Sequence, residues 1–367
     1  MASLVIVVSR PPKTTDVVQS IGADSTDTRG GVIQAVQRWT WAFPYASVDA
    51  TKVGEEVHNM KQQSPHRPRR FRGAAVSVAL VGAALLAGTG TAAFAAPGRV
   101  AHPVVSIPTP PKNAAVAALV PASIKKKGFI SAAMDASYPP DEFVAANGTT
   151  IIGMDADLNV ALGAVMGVPW KGVNTTFGTI IAGLQASRYD VGNSSFTVTA
   201  AREKEVNFVT YFQAGEGYYV AKSSSLELKG SLLGLCGHTV SVEIGTTEQT
   251  DAQSAVALCK KAKQKVDTVL SFGTQVGANL AVSSGRAQIG FADSQVAGYI
   301  VQESNGQFKL DGPAFGVAPY GFAFEKTSKL DKATLAAVKV LMKDGIYAKI
   351  LAKWGVQAGA ITDPGIV

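Results

Sequence analysis

The sequence predicts an α/β fold with mostly parallel sheets, because short apolar runs alternate with helical patterns from residue 125 onward. The apolar runs have the length of buried strands. They lie near residues 129–134, 170–174, 189–193, 238–242, 287–291 and 320–325. Between them, Leu158 and Leu162 share one helical face and Ile180 and Leu184 share another. With 47% apolar residues among 367, the chain has enough material for one two-lobed unit or two domains.

The N-terminal region has the order of parts of an export signal. Basic residues at 67–72 precede an uncharged apolar run at 73–93, which ends in Ala93-Phe94-Ala95. We therefore predict a signal peptide over residues 60–95, cleaved after Ala95, and a secreted, cell-surface or periplasmic location. An uncleaved membrane anchor is the alternative, because about 20 apolar residues can span a bilayer.

Two further segments flank this signal. Residues 1–59 have no sustained helical or strand period, so we expect a disordered or mis-assigned extension, with Met60 as the alternative start. Residues 96–124 are rich in Pro and Ala and are expected to form an extended linker. Folding is then expected to begin near Lys125.

The net charge of +7 does not indicate a nucleic-acid partner. Residues 1–95 hold ten Lys and Arg against six Asp and Glu, a surplus of +4, which leaves +3 for residues 96–367. The predicted globular part has no basic face in its sequence, and we expect no nucleic-acid binding.

The two cysteines, Cys236 and Cys259, both lie in the part predicted to be exported, where an oxidising compartment permits a disulfide. A bridge that closes this loop of about 23 residues would stabilise the fold by roughly 3 kcal/mol in the chain-entropy model. Two unpaired thiols are the alternative. The histidines are scattered, with none at ligand spacing from the cysteines, so we predict neither a metal nor a cofactor.

Polar and charged residues follow the predicted strands at their carboxyl ends, where α/β sheets bind ligands. These residues are Asp135 and Tyr138, then Ser194, Ser195, Thr197 and Arg202, then Glu243, Thr246 and Thr247, and finally Asp293. A guanidinium makes two charge-assisted bonds to a carboxylate, and a carboxylate binds an ammonium group. Arg202 and Asp293 therefore predict a site for a zwitterion. The structural alternatives are a solvated helix face for Arg202 and a helix cap for Asp293.

Several motifs in order extend this pattern. They are Asp135-x-x-Tyr138, Gly153-x-Asp155-x-Asp157, Phe177 before Ile180-Ile181, Ser194-Ser195-x-Thr197-x-x-x-x-Arg202, Gly245-Thr246-Thr247 and Gly290-x-x-Asp293. The chain from Lys125 to near its end thereby resembles the family 3 extracellular solute-binding proteins, the polar amino-acid receptors of ABC importers.

The resemblance implies a two-lobed periplasmic-binding-protein-like fold of type II, with the ligand in the cleft between lobes joined by two hinge strands. Lobe 1 would comprise residues 125–215 and 317–367, and lobe 2 residues 216–316. The hinges would lie at residues 214–216 and 317–319.

The resemblance also implies roles for individual residues. Arg202 would hold an α-carboxylate with Thr197 and Thr247, and Asp293 would hold the α-ammonium group with Ser195. The ligand side chain would meet Tyr138, Phe177, Asp135, Ser194, Asp155 and Glu243. Asp141 departs from the family, which often has Phe there, and makes the outer pocket more acidic. A side chain that donates hydrogen bonds, as in Gln, Arg, Lys, ornithine or His, is therefore favoured over glutamate.

The predicted function is a monomeric, secreted substrate-binding protein that delivers a polar or basic amino acid to an ABC transporter permease. The sequence has no nucleophile-base triad, P-loop or dinucleotide fingerprint, and we expect no enzyme activity. Two alternatives stay open. One is a dehydratase-like enzyme on the same scaffold, with Glu142, Glu243 or Asp155 as general acid. The other is a secreted module that presents its ligand to a membrane sensor.

Overall fold

The computed structural model describes residues 107–265 and 268–367. The predicted N-terminal extension, the signal peptide and residues 96–106 of the predicted linker lie outside the described residues. None of the described helices is both long enough and apolar enough to cross a membrane.

The described part begins with two short helices, α1 (Ala114–Leu119) and α2 (Ala122–Lys127). Their residues Val116, Val120 and Ile124 are buried in the main core. The expectation of an extended linker is therefore wrong over the last part of residues 96–124. The alanines favour helix, and the Asn113 side chain caps α1 by accepting a hydrogen bond from the Val116 amide.

The first half of the fold carries the elements expected from the apolar runs and, in addition, three short strands between residues 137 and 152. They are β1 (Ile130–Met134), β2 (Ser137–Tyr138), β3 (Glu142–Val144), β4 (Ile151–Ile152), α3 (Met154–Met166), β5 (Trp170–Asn174), α4 (Ile180–Gln185) and β6 (Val191–Gly192). Strand β1 pairs in parallel with β5 on one side and with β6 on the other. The predicted strands near 129–134, 170–174 and 189–193 are thus confirmed, the last one as a shorter strand.

A second half follows the long strand β7 (Val206–Ala221). Its elements are β8 (Thr239–Glu243), α5 (Thr247–Lys261), β9 (Thr268–Phe272), α6 (Gln275–Ser283), β10 (Ile289–Asp293), α7 (Ser294–Glu303) and β11 (Phe308–Leu310). Strand β8 pairs in parallel with β9 and β10. The chain then returns through β12 (Phe315–Glu325) to the first half, where α8 (Leu330–Lys343) and α9 (Ile346–Trp354) complete the core.

Strands β7 and β12 join the two lobes. The main sheet runs in the order β5-β1-β6-β12-β7-β10-β8-β9, and β7 and β12 pair antiparallel along most of their length. Their register shifts between Phe315 and Ala318. The residues proposed as hinges, 214–216 and 317–319, lie in this crossing region. Two buried clusters lie in the first half with parts of β7 and β12, and one lies in the second half, while a further cluster joins Tyr138 to the second half.

The predicted disulfide between Cys236 and Cys259 is confirmed. It ties the short helical turn before β8 to the C-terminal end of α5. The first residues of α5 lie in the cleft described below, so the bridge fixes the helix from its far end.

Candidate ligand-binding cleft

A cleft lies where β1, β8 and β10 end and where the chain leaves β6. Its lining consists of Asp135, Tyr138, Glu142, Phe177, Ser194, Ser195, Thr197, Arg202, Glu243, Thr246, Thr247, Glu248 and Asp293. All the predicted site residues except Asp155 are in this set. They come together because the carboxyl ends of parallel strands meet at one edge of each lobe.

Arg202 lies at the boundary between the lobes. Its guanidinium donates hydrogen bonds to the carbonyl oxygen of Thr197 at 2.7 Å and, across the cleft, to that of Gly245 at 2.9 Å. The rings of Phe177 and Phe196 stack on each other, and the guanidinium carbon lies 5.3 and 5.4 Å from their centroids. A guanidinium has five N–H donors, so donors remain for an anion in the cleft. Burial lowers the pKa of Arg202 from its ordinary value.

Asp293 is the carboxylate that the sequence assigned to an ammonium group. The Tyr138 hydroxyl donates to Asp293 Oδ2 at 2.8 Å and accepts from the Asp293 amide at 3.0 Å. Tyr138 belongs to lobe 1 and Asp293 to lobe 2, so these bonds also cross the cleft. Burial raises the pKa of Asp293 to about 7.

Ser195, which was expected to hold the α-ammonium group together with Asp293, lies with Asp293 in the cleft lining. The Ser195 hydroxyl donates to Asp141 at 3.0 Å, and it also lies within hydrogen-bond distance of Glu142 and Asp155. Its backbone is held in the left-handed region, with φ of 50°, and its amide donates to Asp155 Oδ2 at 3.0 Å. The serine therefore turns its hydroxyl toward the carboxylates beneath the cleft.

Asp155 lies outside the cleft lining and is fully buried. Both of its carboxylate oxygens accept from the Tyr211 hydroxyl, at 2.7 and 3.0 Å. Asp155, which was expected near the ligand side chain, is thus set back from the cleft, because its oxygens face β7 and the Ser195 amide. Burial raises the pKa of Asp155 to about 6.

Asp135 and Glu142 belong to the lobe 1 wall. Asp135 accepts a hydrogen bond from the Phe177 amide at 2.8 Å, and its own amide donates to the Ser194 hydroxyl. That hydroxyl donates to Glu142 Oε1 at 2.7 Å. Burial, together with the charges of Asp155 and Asp141, raises the pKa of Glu142 well above its ordinary value.

The lobe 2 wall is formed by the end of β8 and the first turn of α5. Thr246 caps this helix by accepting from the Gln249 amide, and Thr247 donates to Glu248. The Oε1 atoms of Glu243 and Glu248 are buried and have no hydrogen-bond partner among the described residues. Burial raises the pKa of Glu243 to about 10 and that of Glu248 to about 8.

Two lining residues are absent from the predicted ligand-binding set: Glu142, which was considered only as a general acid, and Glu248. Glu248 directly follows the Gly245-Thr246-Thr247 motif, and its place in the first helical turn was the available signal. With these two residues, the lining contains five carboxyl groups and one guanidinium, and neither histidine nor cysteine. Within the described ranges, no group of His, Cys, Asp and Glu side chains is arranged to hold a metal ion.

The sequence profile of the bacterial extracellular solute-binding proteins, family 3, matches residues 130–357, which include both lobes and the whole cleft lining. The chain belongs to this family. The resemblance drawn from the strand-end motifs is thereby confirmed, and with it the two-lobed α/β fold of type II. Members of this family are extracellular binding proteins for solutes.

Individual proteins and solved structures are also similar to this chain. The arginine-binding protein ArgT of Corynebacterium glutamicum is 32% identical over 249 residues, covering 68% of this chain and 81% of that protein. A solved structure of a mutant of ArgBP from T. maritima is 31% identical, with a TM-score of 0.58, and covers 64% of this chain and 97% of that one. An ancestral amino acid-binding protein, described as a precursor of cyclohexadienyl dehydratase, is 31% identical with a TM-score of 0.57 over 63% of this chain and 97% of that one.

Proposed function

We propose that this protein is a secreted substrate-binding component of an ABC transporter whose ligand is a polar amino acid with a hydrogen-donating side chain. Gln, Arg, Lys, ornithine and His meet that description, and the cationic side chains fit best. The observation that carries the proposal is the excess of carboxyl groups over guanidinium in the cleft. Several relatives, including ArgT, are described as arginine-binding proteins.

The head group of an amino acid, its α-carboxylate and α-ammonium group, fits between Arg202 and Asp293. The guanidinium, supported by Thr197 and Thr247, would hold the α-carboxylate, and Asp293 would hold the α-ammonium group. Each charge-assisted bond contributes about 1.5 to 3 kcal/mol. In this arrangement, Arg202 and one of the five carboxyl groups, that of Asp293, bind the head group of the amino acid. Four carboxyl groups then remain for the ligand side chain.

The remaining carboxyls favour a cationic side chain. Glu243 and Glu248 each bury an oxygen that lacks a partner, and leaving a buried polar group unpaired is costly. Together with Asp135 and Glu142, they offer acceptors that a guanidinium or ammonium group satisfies. A glutamate side chain would add like charge to this region and is disfavoured.

Ligand delivery requires the lobes to move relative to each other. We propose hinges at residues 214–216 and 317–319, with lobe 1 at 125–215 and 317–367 and lobe 2 at 216–316. Ligand binding would favour the closed form, which a membrane permease then recognises. A monomer suffices for this cycle.

A thermal-shift screen across the amino acids tests the proposal. Ligand at about 100 times Kd stabilises the folded protein by about 2.7 kcal/mol, which gives a clear increase in Tm. We expect responses to L-arginine, L-lysine, L-ornithine, L-histidine or L-glutamine, and none to L-glutamate. A response to L-glutamate, or to none of the amino acids, would overturn the assigned ligand class.

A dehydratase-like enzyme is the second candidate, because Glu142 is a buried carboxyl with a raised pKa, as a general acid requires. The excess of carboxyl groups in the cleft opposes an enzyme of this kind, since a carboxylic acid substrate would meet four carboxyl groups besides that of Glu142. Mass spectrometry after incubation with a cyclohexadienyl acid checks this alternative. Loss of water from that acid would support the enzyme.

A further inference from the structure

Helix α7 has two faces with different surroundings. Val296, Ala297 and Ile300 are buried in the core of lobe 2. Gln295 and Tyr299 are partly exposed, and they share the opposite face because they are four residues apart. That second face meets lobe 1.

Gln295 makes a partly buried contact across the lobes. Its Nε2 donates to Asp141 Oδ2 at 2.7 Å and to the Tyr320 hydroxyl at 2.8 Å. Asp141 precedes β3 and is 0% exposed. The bond therefore joins helix α7 to the segment that leads into β3.

Tyr299 makes a second contact one helical turn further along. Its ring lies 6.1 Å from the ring of Phe143, centroid to centroid. Phe143 is two residues after Asp141, so it follows along the same strand segment. It is held from its own lobe by Trp354, whose ring is 5.8 Å away in an edge-on arrangement. We call Gln295 and Tyr299, together with Asp141 and Phe143, the α7 latch.

None of the four latch residues lines the ligand cleft. Their contacts join the two halves of the fold, so an opening of the lobes would separate them. Interactions confined to one of two conformations shift the population toward that conformation. Apparent affinity rises with the fraction of protein in the binding-competent form.

We propose that the α7 latch positions lobe 2 on lobe 1 and sets the stability of the closed form. The latch thereby scales the affinity for every ligand by the same factor. This inference rests on the proposed function, because it assumes that closure accompanies amino-acid binding. It adds to that function a pair of residues that control affinity without contacting the ligand.

The test compares wild type with the double variant Gln295→Ala/Tyr299→Ala, by calorimetry and stopped-flow binding with L-arginine and L-lysine as probes. We expect Kd to rise about 30-fold or more for each probe, which is the lower end of what a hydrogen bond to a charged group and an aromatic pair contribute together. The increase should lie mainly in the dissociation rate, because the ligand leaves only after the latch contacts have opened. Equal affinities, or factors that differ between the probes, would overturn the latch.

Two variants serve as matched controls. Gln302→Ala changes an exposed glutamine on the same helix and should leave Kd unchanged. Tyr299→Phe keeps the ring and should keep most of the affinity. A loss of affinity in Gln302→Ala as large as in the double variant would attribute the effect to α7 as a whole and contradict the proposal.

The two proposals fail in different ways. If wild type binds no amino acid, the proposed function is wrong, and small-angle X-ray scattering of the ligand-free proteins then decides about the latch. The latch predicts a larger radius of gyration for the double variant than for wild type. Equal radii would overturn it.

Discussion

Replacing Arg202 by alanine removes the single guanidinium of the cleft lining. In the proposed complex, this side chain makes two charge-assisted bonds to the ligand carboxylate, each contributing about 1.5 to 3 kcal/mol. Their loss predicts a decrease in affinity of roughly 10²- to 10⁴-fold. The interlobe bond to the Gly245 carbonyl is lost as well, which removes a further contact of the closed form. The fold should persist, because Phe177 and Phe196 still stack on each other.

Calorimetric titration of L-arginine at pH 7 measures this loss, and thermal unfolding of the ligand-free variant checks that it is folded. Arg188→Ala is the matched control, since Arg188 is exposed and lies outside the cleft. It should bind like wild type. An Arg202→Ala variant that retains affinity within a factor of about three, far below the worked loss, would refute the carboxylate anchor.

Three further predictions concern other parts of the fold. Glu243→Gln should weaken L-arginine binding more than L-glutamine binding, as measured by calorimetry, because it removes one carboxyl from the side-chain end. The double variant Cys236→Ser/Cys259→Ser should lower the free energy of unfolding in urea by roughly 3 kcal/mol in the chain-entropy model; an unchanged value would show that the bridge does not restrain the unfolded chain. The free energy of unfolding of ligand-free protein should fall as the pH rises from about 4 to about 8. The carboxyls of Asp293 and Glu248 have raised pKa values of about 7 and about 8, so the folded state holds protons that the unfolded state releases. Each such proton contributes a slope of about 1.4 kcal/mol per pH unit within this window, which urea unfolding at several pH values measures. A stability that rises over this range would contradict the raised pKa values.

The strand-end reasoning worked because it depends on local features. Asp135 and Asp293 each follow an apolar run that forms a strand, and the carboxyl ends of neighbouring parallel strands lie together whatever the details of packing. Arg202 follows from the same rule. The disulfide was predictable from export and cysteine number alone.

Other features depended on long-range geometry. The orientation of the Ser195 hydroxyl follows from a left-handed backbone and from carboxylates on two other elements, which no local pattern displays. Asp155 lies outside the cleft lining because its side chain, at the start of α3, points toward Tyr211 in β7. The apolar runs did not predict a strand over β7; within this segment, only the hinge at residues 214–216 was expected.

By itself the sequence determined the fold class, the family and the residues that gather at the strand ends, because these depend on apolar periodicity and on motif order. Only the tertiary structure decided how those residues face one another. It placed Tyr138 on Asp293, directed the Ser195 hydroxyl to Asp141, and brought Gln295 of one lobe onto Asp141 of the other. Such pairs are separated by many residues along the chain, and their distances follow from the packing of two lobes across β7 and β12.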